Sequence, residues 1–387
     1  FINHADSVEN SDNYRQADDD KIIAYDEALE HGQDIQKTNA TQNETKQALQ
    51  QLINAETSLN GFERLNHARP RALEYIKSLE KINNAQKSAL EDKVTQSHDL
   101  LELEHIVNEG TNLNDIMGEL ANAIVNNYAP TKASINYINA DNLRKDNFTQ
   151  AINNARDALN KTQGQNLDFN AIDTFKDDIF KTKDALNGIE RLTAAKSKAE
   201  KLIDSLKFIN KAQFTHANDE IMNTNSIAQL SRIVNQAFDL NDAMKSLRDA
   251  LNNQALPVQA SSNYINSDED LKQQFDHALS NARKVLAKEN GKNLDEIQIE
   301  GLKQVIEDTK DALNGIQRLS KAKAKAIQYV QSLSYINDAQ RHIAENNIHN
   351  SDDLSSLANT LSKASDLDNA MKDLRDTIES NSTSVPN

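Results

Sequence analysis

The chain has 387 residues, 5% of them aromatic, with nine Gly, four Pro and neither Cys nor Trp. So few helix breakers over this length argue for an all-helical protein with small aliphatic cores, and the missing Cys excludes a disulfide scaffold or a thiolate metal site. A formal charge of −16 argues against nucleic acid and anionic lipid as partners, since both require clustered Lys and Arg, and it suits a well-solvated surface.

Three markers recur in one register. Leu59-Asn60-Gly61-Phe62-Glu63-Arg64-Leu65 returns as Leu186-Asn187-Gly188-Ile189-Glu190-Arg191-Leu192 and again as Leu313-Asn314-Gly315-Ile316-Gln317-Arg318-Leu319, the glycines lying 127 residues apart. Met117, Met244 and Met371 keep that period, each four residues after a leucine, as do Ala85-Gln86, Ala212-Gln213 and Ala339-Gln340. A catalyst needs one site, whereas tandem copies supply length and valency.

The middle copy shows the elements most clearly. After Pro130 an extended polar stretch is expected up to Asn136-Tyr137, matched by Asn13-Tyr14 and Asn263-Tyr264. Phe148, Ile152, Ala155 and Leu159 then keep helical spacing, and a loop containing Gly164 ends that helix. The first copy is four residues shorter here, as surface connections tolerate.

A second helix runs through Ile172, Phe175, Ile179 and Leu186. Asn-Gly at 187–188 is a frequent turn or C-cap signal. The apolar rhythm nevertheless continues in phase through Ile189, Leu192, Ala195, Ala199, Leu202 and Leu206. The favoured expectation is one continuous or kinked helix over 172–208, in which Gly188→Ala would stabilise by up to ~1 kcal/mol.

A loop is expected over 214–223, then a short helix capped by Thr224 (Ser97 and Ser351 elsewhere) with core residues Ile227, Leu230 and Val234. A last helix is expected from Asp239-Leu240-Asn241 through Met244, Leu247 and Leu251 to a stop before Pro257. Five segments per period are one short of two independent three-helix bundles. Bundles must therefore share a helix, or the closing helix of one repeat must complete the opening bundle of the next. The expected fold is all-α: an elongated tandem string of three-helix bundles, two per 127-residue repeat, joined through long or shared helices.

No candidate catalytic or cofactor site emerges. His98 and His105, like His342 and His349, are seven residues apart without a convergent third ligand, so a solvated surface is the expected reading rather than zinc. Asp18-Asp19-Asp20 lacks the Gly and Glu of a calcium loop and suits the first turn of a helix. Pairs such as Asp177-Asp178 and Asp352-Asp353 fall at expected exposed positions, where nothing raises a carboxyl pKa for acid–base work. Arg64, Arg191 and Arg318 are expected to cap carbonyls or pair with an acid at a joint between bundles. Tyr14, Tyr137 and Tyr264 are expected to plug the linker.

Residues 193–251 resemble a GA module, through Ala194-Ala195-Lys196, Ile203, Leu206, Ile209-Asn210-Lys211-Ala212-Gln213 and Leu240-Asn241-Asp242-Ala243-Met244. Residues 137–188 resemble a FIVAR module, through Tyr137, Ala151, Ala155, Ala158 and Ala185-Leu186. Their alternation at this period resembles the giant staphylococcal extracellular matrix-binding proteins, the Ebh/Embp family, across nearly the whole chain.

The resulting map has the end of a preceding repeat or linker at 1–13. FIVAR-like bundles follow at 14–65, 130–192 and 257–319, GA-like bundles at 66–129, 193–256 and 320–380, and a linker at 381–387. The resemblance implies a non-enzymatic, monomeric rod with no cofactor or metal and no membrane contact in this segment. It would be part of a larger membrane-anchored, cell-wall-associated protein at the bacterial surface. Host fibronectin is the implied partner, with a cell-wall or purely mechanical role as the alternative. Albumin, the ligand of GA modules elsewhere, is a further candidate. Albumin binders present an aromatic surface around the middle helix, where Ser231, Arg232 and Asn235 are expected here. Which residues bind is left open.

Overall fold

The computed structural model describes residues 2–383, and every element among them is a helix. Of the linker placed at 381–387, residues 384–387 lie outside the described residues. The chain forms two compact units, Phe1–Arg191 and Leu192–Asn387.

The first unit opens with helices Ile2–Glu9, Asp12–Arg15, Asp19–Lys37 and Gln42–Ser58, closed around Val8, Tyr25, Leu52 and Leu59. Gln42–Ser58 starts at a capping box in which Thr41 and Glu44 satisfy each other's backbone N–H. Gly61–Ser78, Asn84–Gln96 and Leu100–Ala133 follow, then Ile135–Asn139, Asn142–Leu159 and Phe169–Asp184.

Leu100–Ala133 is the helix that two bundles hold in common. Its first half packs Leu103, Ile106 and Leu113 against Ile76 and Leu90, completing a three-helix bundle. Its second half places Met117, Leu120 and Ile124 with Phe148, Ile152, Ile172 and Ile179 in the same uninterrupted core. At 34 residues it is ~50 Å long.

In the second unit, which begins inside the helix Gly188–Asp204, Ile227–Gln259 repeats this arrangement between that helix with Lys211–Asn223 and the pair Glu269–Leu286 and Glu296–Asp311. Leu240 borders both cores. Gly315–Ser332, Asp338–His349 and Leu354–Thr383 build the last bundle.

Each period thus holds five long helices, though not the five expected from sequence. The loop expected over 214–223 is the helix Lys211–Asn223. The two segments expected on either side of Asp239 are one helix, because Leu230, Ile233, Ala237, Met244 and Leu247 stay on one buried stripe. The Asn241 side chain, at the expected helix start, instead accepts the Phe208 N–H at 2.9 Å and closes a neighbouring loop.

Prolines do not end these helices either. Pro130 and Pro257 lie within helices that reach Ala133 and Gln259. Each costs one backbone bond on an exposed face where water can replace it. Ser97 and Thr224 are C-caps of the preceding helices, and Asp99 and Ser226 are the N-caps.

The continuous helix over 172–208 is absent. One helix ends at Asp184 with Ala185 as its cap, and the next begins at Gly188. No glycine has positive φ, so Gly188 is not a left-handed cap. A Cβ there would collide with the Asn136 carbonyl oxygen and sit 2.7 Å from the Ala140 nitrogen. Close approach of the two backbones therefore selects glycine.

Candidate functional site

The residues that recur with the 127-residue period converge on two kinds of joint. In the joint from a FIVAR-like bundle to the following GA-like one, Asn60, Asn187 and Asn314 use both ends of their carboxamides. Asn60 Nδ2 donates to Asp18 at 2.7 Å while its Oδ1 accepts the Asp18 N–H at 3.0 Å. Asn187 makes the same pair with Asp141, and Asn314 with Asp268. The Arg144 N–H, then the Asn187 amide, holds the Asp141 carboxyl below its ordinary range.

The recurring arginines act here as expected. Arg64 Nη1 donates to Gln16 and Ala17 carbonyls at 2.8 and 2.9 Å, Arg191 to Asn139 at 3.0 Å, and Arg318 to Asn266 at 2.7 Å. Arg64 and Arg318 also pair with Asp18 and Asp268 at 3.2 and 3.0 Å. These ion pairs are half-exposed and contribute ~1 kcal/mol or less. Within the Asp18-Asp19-Asp20 run, Asp19 and Asp20 occupy the first helical turn as expected, while nothing in the local sequence marks Asp18 for its role.

The tyrosines pack edge-on against a core ring. Tyr14 meets Tyr25 at 5.6 Å, while Tyr137 meets Phe148 and Tyr264 meets Phe275, both at 6.1 Å. Burial, then a hydrogen bond to Asp26 or Asp276, pushes Tyr14 and Tyr264 up to about 12, and burial does the same to Tyr25. A raised pKa stabilises the fold fully below the free-tyrosine value near 10, and that contribution is lost as pH rises through about 12. We expect the 295-nm absorbance to rise in two steps during alkaline titration, with Tyr14→Phe and Tyr264→Phe each removing part of the later one. A single step near pH 10 would contradict the packing.

The second joint, from a GA-like bundle to the following FIVAR-like one, is not legible in the sequence. Asn83 is completely buried. Its Oδ1 accepts the Gln86 N–H in a capping box, while its Nδ2 donates to Ala158 and Gln165 carbonyls at 3.2 and 2.9 Å. Gln86 Nε2 donates to the Leu167 carbonyl at 2.9 Å. In return, Lys161 Nζ donates to the Glu80 and Ile82 carbonyls, and the Asn84 N–H to the Lys161 carbonyl at 2.9 Å.

Asn210, Gln213, Lys211 and Lys288 repeat the pattern with Val285, Lys292, Leu294 and Ile209. A Cβ on Gly164 or Gly291 would lie 2.6 or 2.5 Å from the asparagine Nδ2, so the loop glycine makes room for the carboxamide. The Ala-Gln marker therefore belongs to a lock between bundles.

Among the described residues no group of three His, Asp or Glu could hold a metal ion. His98 Nδ1 lies 2.8 Å from Asp12 at the surface. Ser231, Arg232 and Asn235, which sequence places near the middle GA helix, lie on the third helix instead. The middle helix Lys211–Asn223 carries Phe214, packed on the bundle core, and exposed Met222. One apolar residue stays exposed at the same place in every repeat: Phe62, Ile189 and Ile316 are 53%, 58% and 62% exposed. Their backbone N–H groups are held at 3.0–3.1 Å by Asn13, Asn136 and Asn263.

The FIVAR domain family matches residues 1–60, 117–187 and 243–314, more than half of the chain, and the GA module matches 62–116, 189–243 and 316–370. The module seams at 116/117 and 243 thus fall inside the long helices. "Extracellular matrix-binding protein ebh" of Staphylococcus aureus (strain MW2) is 37% identical over 100% of this chain and 4% of its own length. EbhA of strain Mu3 is 36% identical over 100% of this chain and 6% of its own. The chain spans between 4% and 11% of the curated relatives it matches. A crystal structure of an EbhA segment from Staphylococcus aureus, 26% identical, superposes with a TM-score of 0.59 over 64% of this chain and 98% of that one. The chain belongs to the FIVAR domain family, its three FIVAR domains alternating with three GA modules, and it is similar along its whole length to segments of staphylococcal extracellular matrix-binding proteins.

Proposed function

We propose that this chain is a non-enzymatic adhesive segment of a bacterial surface protein. It binds host extracellular matrix, fibronectin first, through several weak equivalent contacts, and is carried by a larger, membrane-anchored and wall-associated polypeptide. The observation that carries this reading is the exposed apolar residue at Phe62, Ile189 and Ile316, fixed by a side-chain amide at the same point of each repeat. Weak contacts repeated on one chain gain strength by avidity, so no deep pocket is required. The names of the relatives, which describe matrix binding, support the same class of partner. The locked joints favour a second reading, a mechanical spacer in the cell envelope.

Surface plasmon resonance of the whole chain on immobilised fibronectin and albumin separates the readings. Changing one of Phe62, Ile189 and Ile316 to Ser is expected to speed dissociation from fibronectin about two- to threefold, and changing all three by more than tenfold. No fibronectin response from the intact chain would leave the spacer reading, and a response to albumin alone would point to serum-protein capture.

A further inference from the structure

The third GA module carries the same locking residues as the other two, yet among the described residues no hairpin packs on them. Asn83 and Gln86 are fully buried, and Asn210 and Gln213 are 1% and 2% exposed. Asn337 is exposed and Gln340 half-exposed, although both still form the capping box.

The long helix of this module shows the same contrast. Leu113, Met117, Leu120 and Ile124 are buried in the first copy. Their counterparts Leu367, Leu374 and Ile378 are 38%, 52% and 58% exposed, and Met371 is half-buried. Polar lock and apolar stripe together form the face that receives a FIVAR hairpin in the two earlier copies.

Not every FIVAR hairpin has the reciprocal part. Both hairpins that dock carry Lys-x-x-Gly-x-Asn-Leu between their helices, as Lys161 to Leu167 and Lys288 to Leu294. The first FIVAR module joins its helices through Thr38-Asn39-Ala40 and has neither the glycine nor the Asn-Leu; its nearest lysine, Lys37, is the last residue of the preceding helix and pairs with Asp34 at 3.0 Å. Where Ile172 lies in the core shared with the long helix and Leu159 packs against that core in the second module, the first has Gln36 and Thr45, which line a shallow groove with Leu29 and Leu52.

We propose that the face formed by Asn337, Gln340 and the Leu367–Ile378 stripe is a docking site for a FIVAR hairpin with a Lys-x-x-Gly-x-Asn-Leu loop. The loop decides whether the joint closes, and the first hairpin of this chain does not satisfy the site. FIVAR modules are therefore of two kinds, those that lock onto a GA module and those that leave the joint open.

Two fusions to residues 1–383 test this. Residue 383 has the register of residue 129, so residues 130–187 can be added after Thr383 to continue the helix in phase, and residues 7–60 can be added in the same register. In the two closed joints the first helical N–H after the asparagine is bonded to the loop lysine carbonyl, at 2.9 Å for Asn84 and 2.8 Å for Lys211. The equivalent N–H is that of Asp338. With residues 130–187 added, hydrogen exchange at Asp338 is expected to slow more than tenfold, and adding Lys161→Ala and Gly164→Val within the fused segment should restore the original rate. With residues 7–60 added, the rate should stay within about twofold of that of the unfused chain. Equal protection by both fusions, or by neither, would overturn the proposal. So would concentration-dependent head-to-tail association of the unfused chain, since that would require the first hairpin to fit.

Discussion

Replacing Gly188 by alanine is expected to destabilise the chain by about 3 kcal/mol, the upper range for overpacking a close-packed site. The added Cβ would strike the Asn136 carbonyl and lie 2.7 Å from the Ala140 nitrogen. Both are backbone atoms pinned by the Asn187–Asp141 and Asn136–Leu186 bonds, so they cannot yield as a side chain would. Gly315→Ala should behave alike, facing the Asn263 carbonyl and the Ser267 nitrogen at 2.8 Å. Gly301, inside the helix Glu296–Asp311, has open space where a Cβ would stand, with nothing within 4 Å. Gly301→Ala should therefore stabilise by about 0.5–1 kcal/mol through helix propensity alone. Thermal unfolding followed by circular dichroism gives opposite signs for the two substitutions. A Gly188→Ala chain melting at or above the parent temperature would restore the continuous-helix expectation.

Asn83→Ala is expected to cost about 2–4 kcal/mol, whereas Asn337→Ala should cost about 1. Both remove an N-cap of similar geometry, worth roughly 1 kcal/mol. Only Asn83 is buried and also bonded to Ala158 and Gln165, and its loss leaves those carbonyls without the donor, at roughly 1–3 kcal/mol more. Urea unfolding of the two variants measures the difference, which is the strength of the lock free of the cap. Equal losses would mean that the cross-bundle bonds contribute nothing net.

The period and the helical class can be read from sequence because each rests on local spacing repeated three times, whereas the count of five long helices agrees only because the missed helix Lys211–Asn223 offsets the wrongly divided Ile227–Gln259. Helix ends are harder to place. Asp239-Leu240-Asn241 has the composition of a start signal, yet Asn241 uses its amide on Phe208. The stripe from Leu230 to Leu247 is buried against neighbours on both sides, and that packing overrides the local preference. At Asn187-Gly188 the opposite holds, where an apolar rhythm continues through a real break.

The Arg and Tyr roles are legible because those residue types suit few other positions at a joint. Those of Asn83 and Asn210 are not, since an asparagine before a helix already has a complete local explanation. The clue lies in the loop, Lys-x-x-Gly-x-Asn-Leu in two copies and missing from the first. A pairing of residues 75 and 82 positions apart has no periodic signature of its own.

The shared helix also constrains how such a gene can change. One residue inserted between Leu113 and Met117 would advance everything downstream by about 1.5 Å and turn it by about 100°. Met117, Leu120 and Ile124 would then rotate away from Phe148 and Ile152, and the lock at Asn83 would miss its loop. Small insertions and deletions are thus confined to connections such as Thr38-Asn39-Ala40, where the first copy is in fact shorter. Growth or shrinkage of the array can proceed without penalty only by whole periods, through recombination between equivalent points of two repeats.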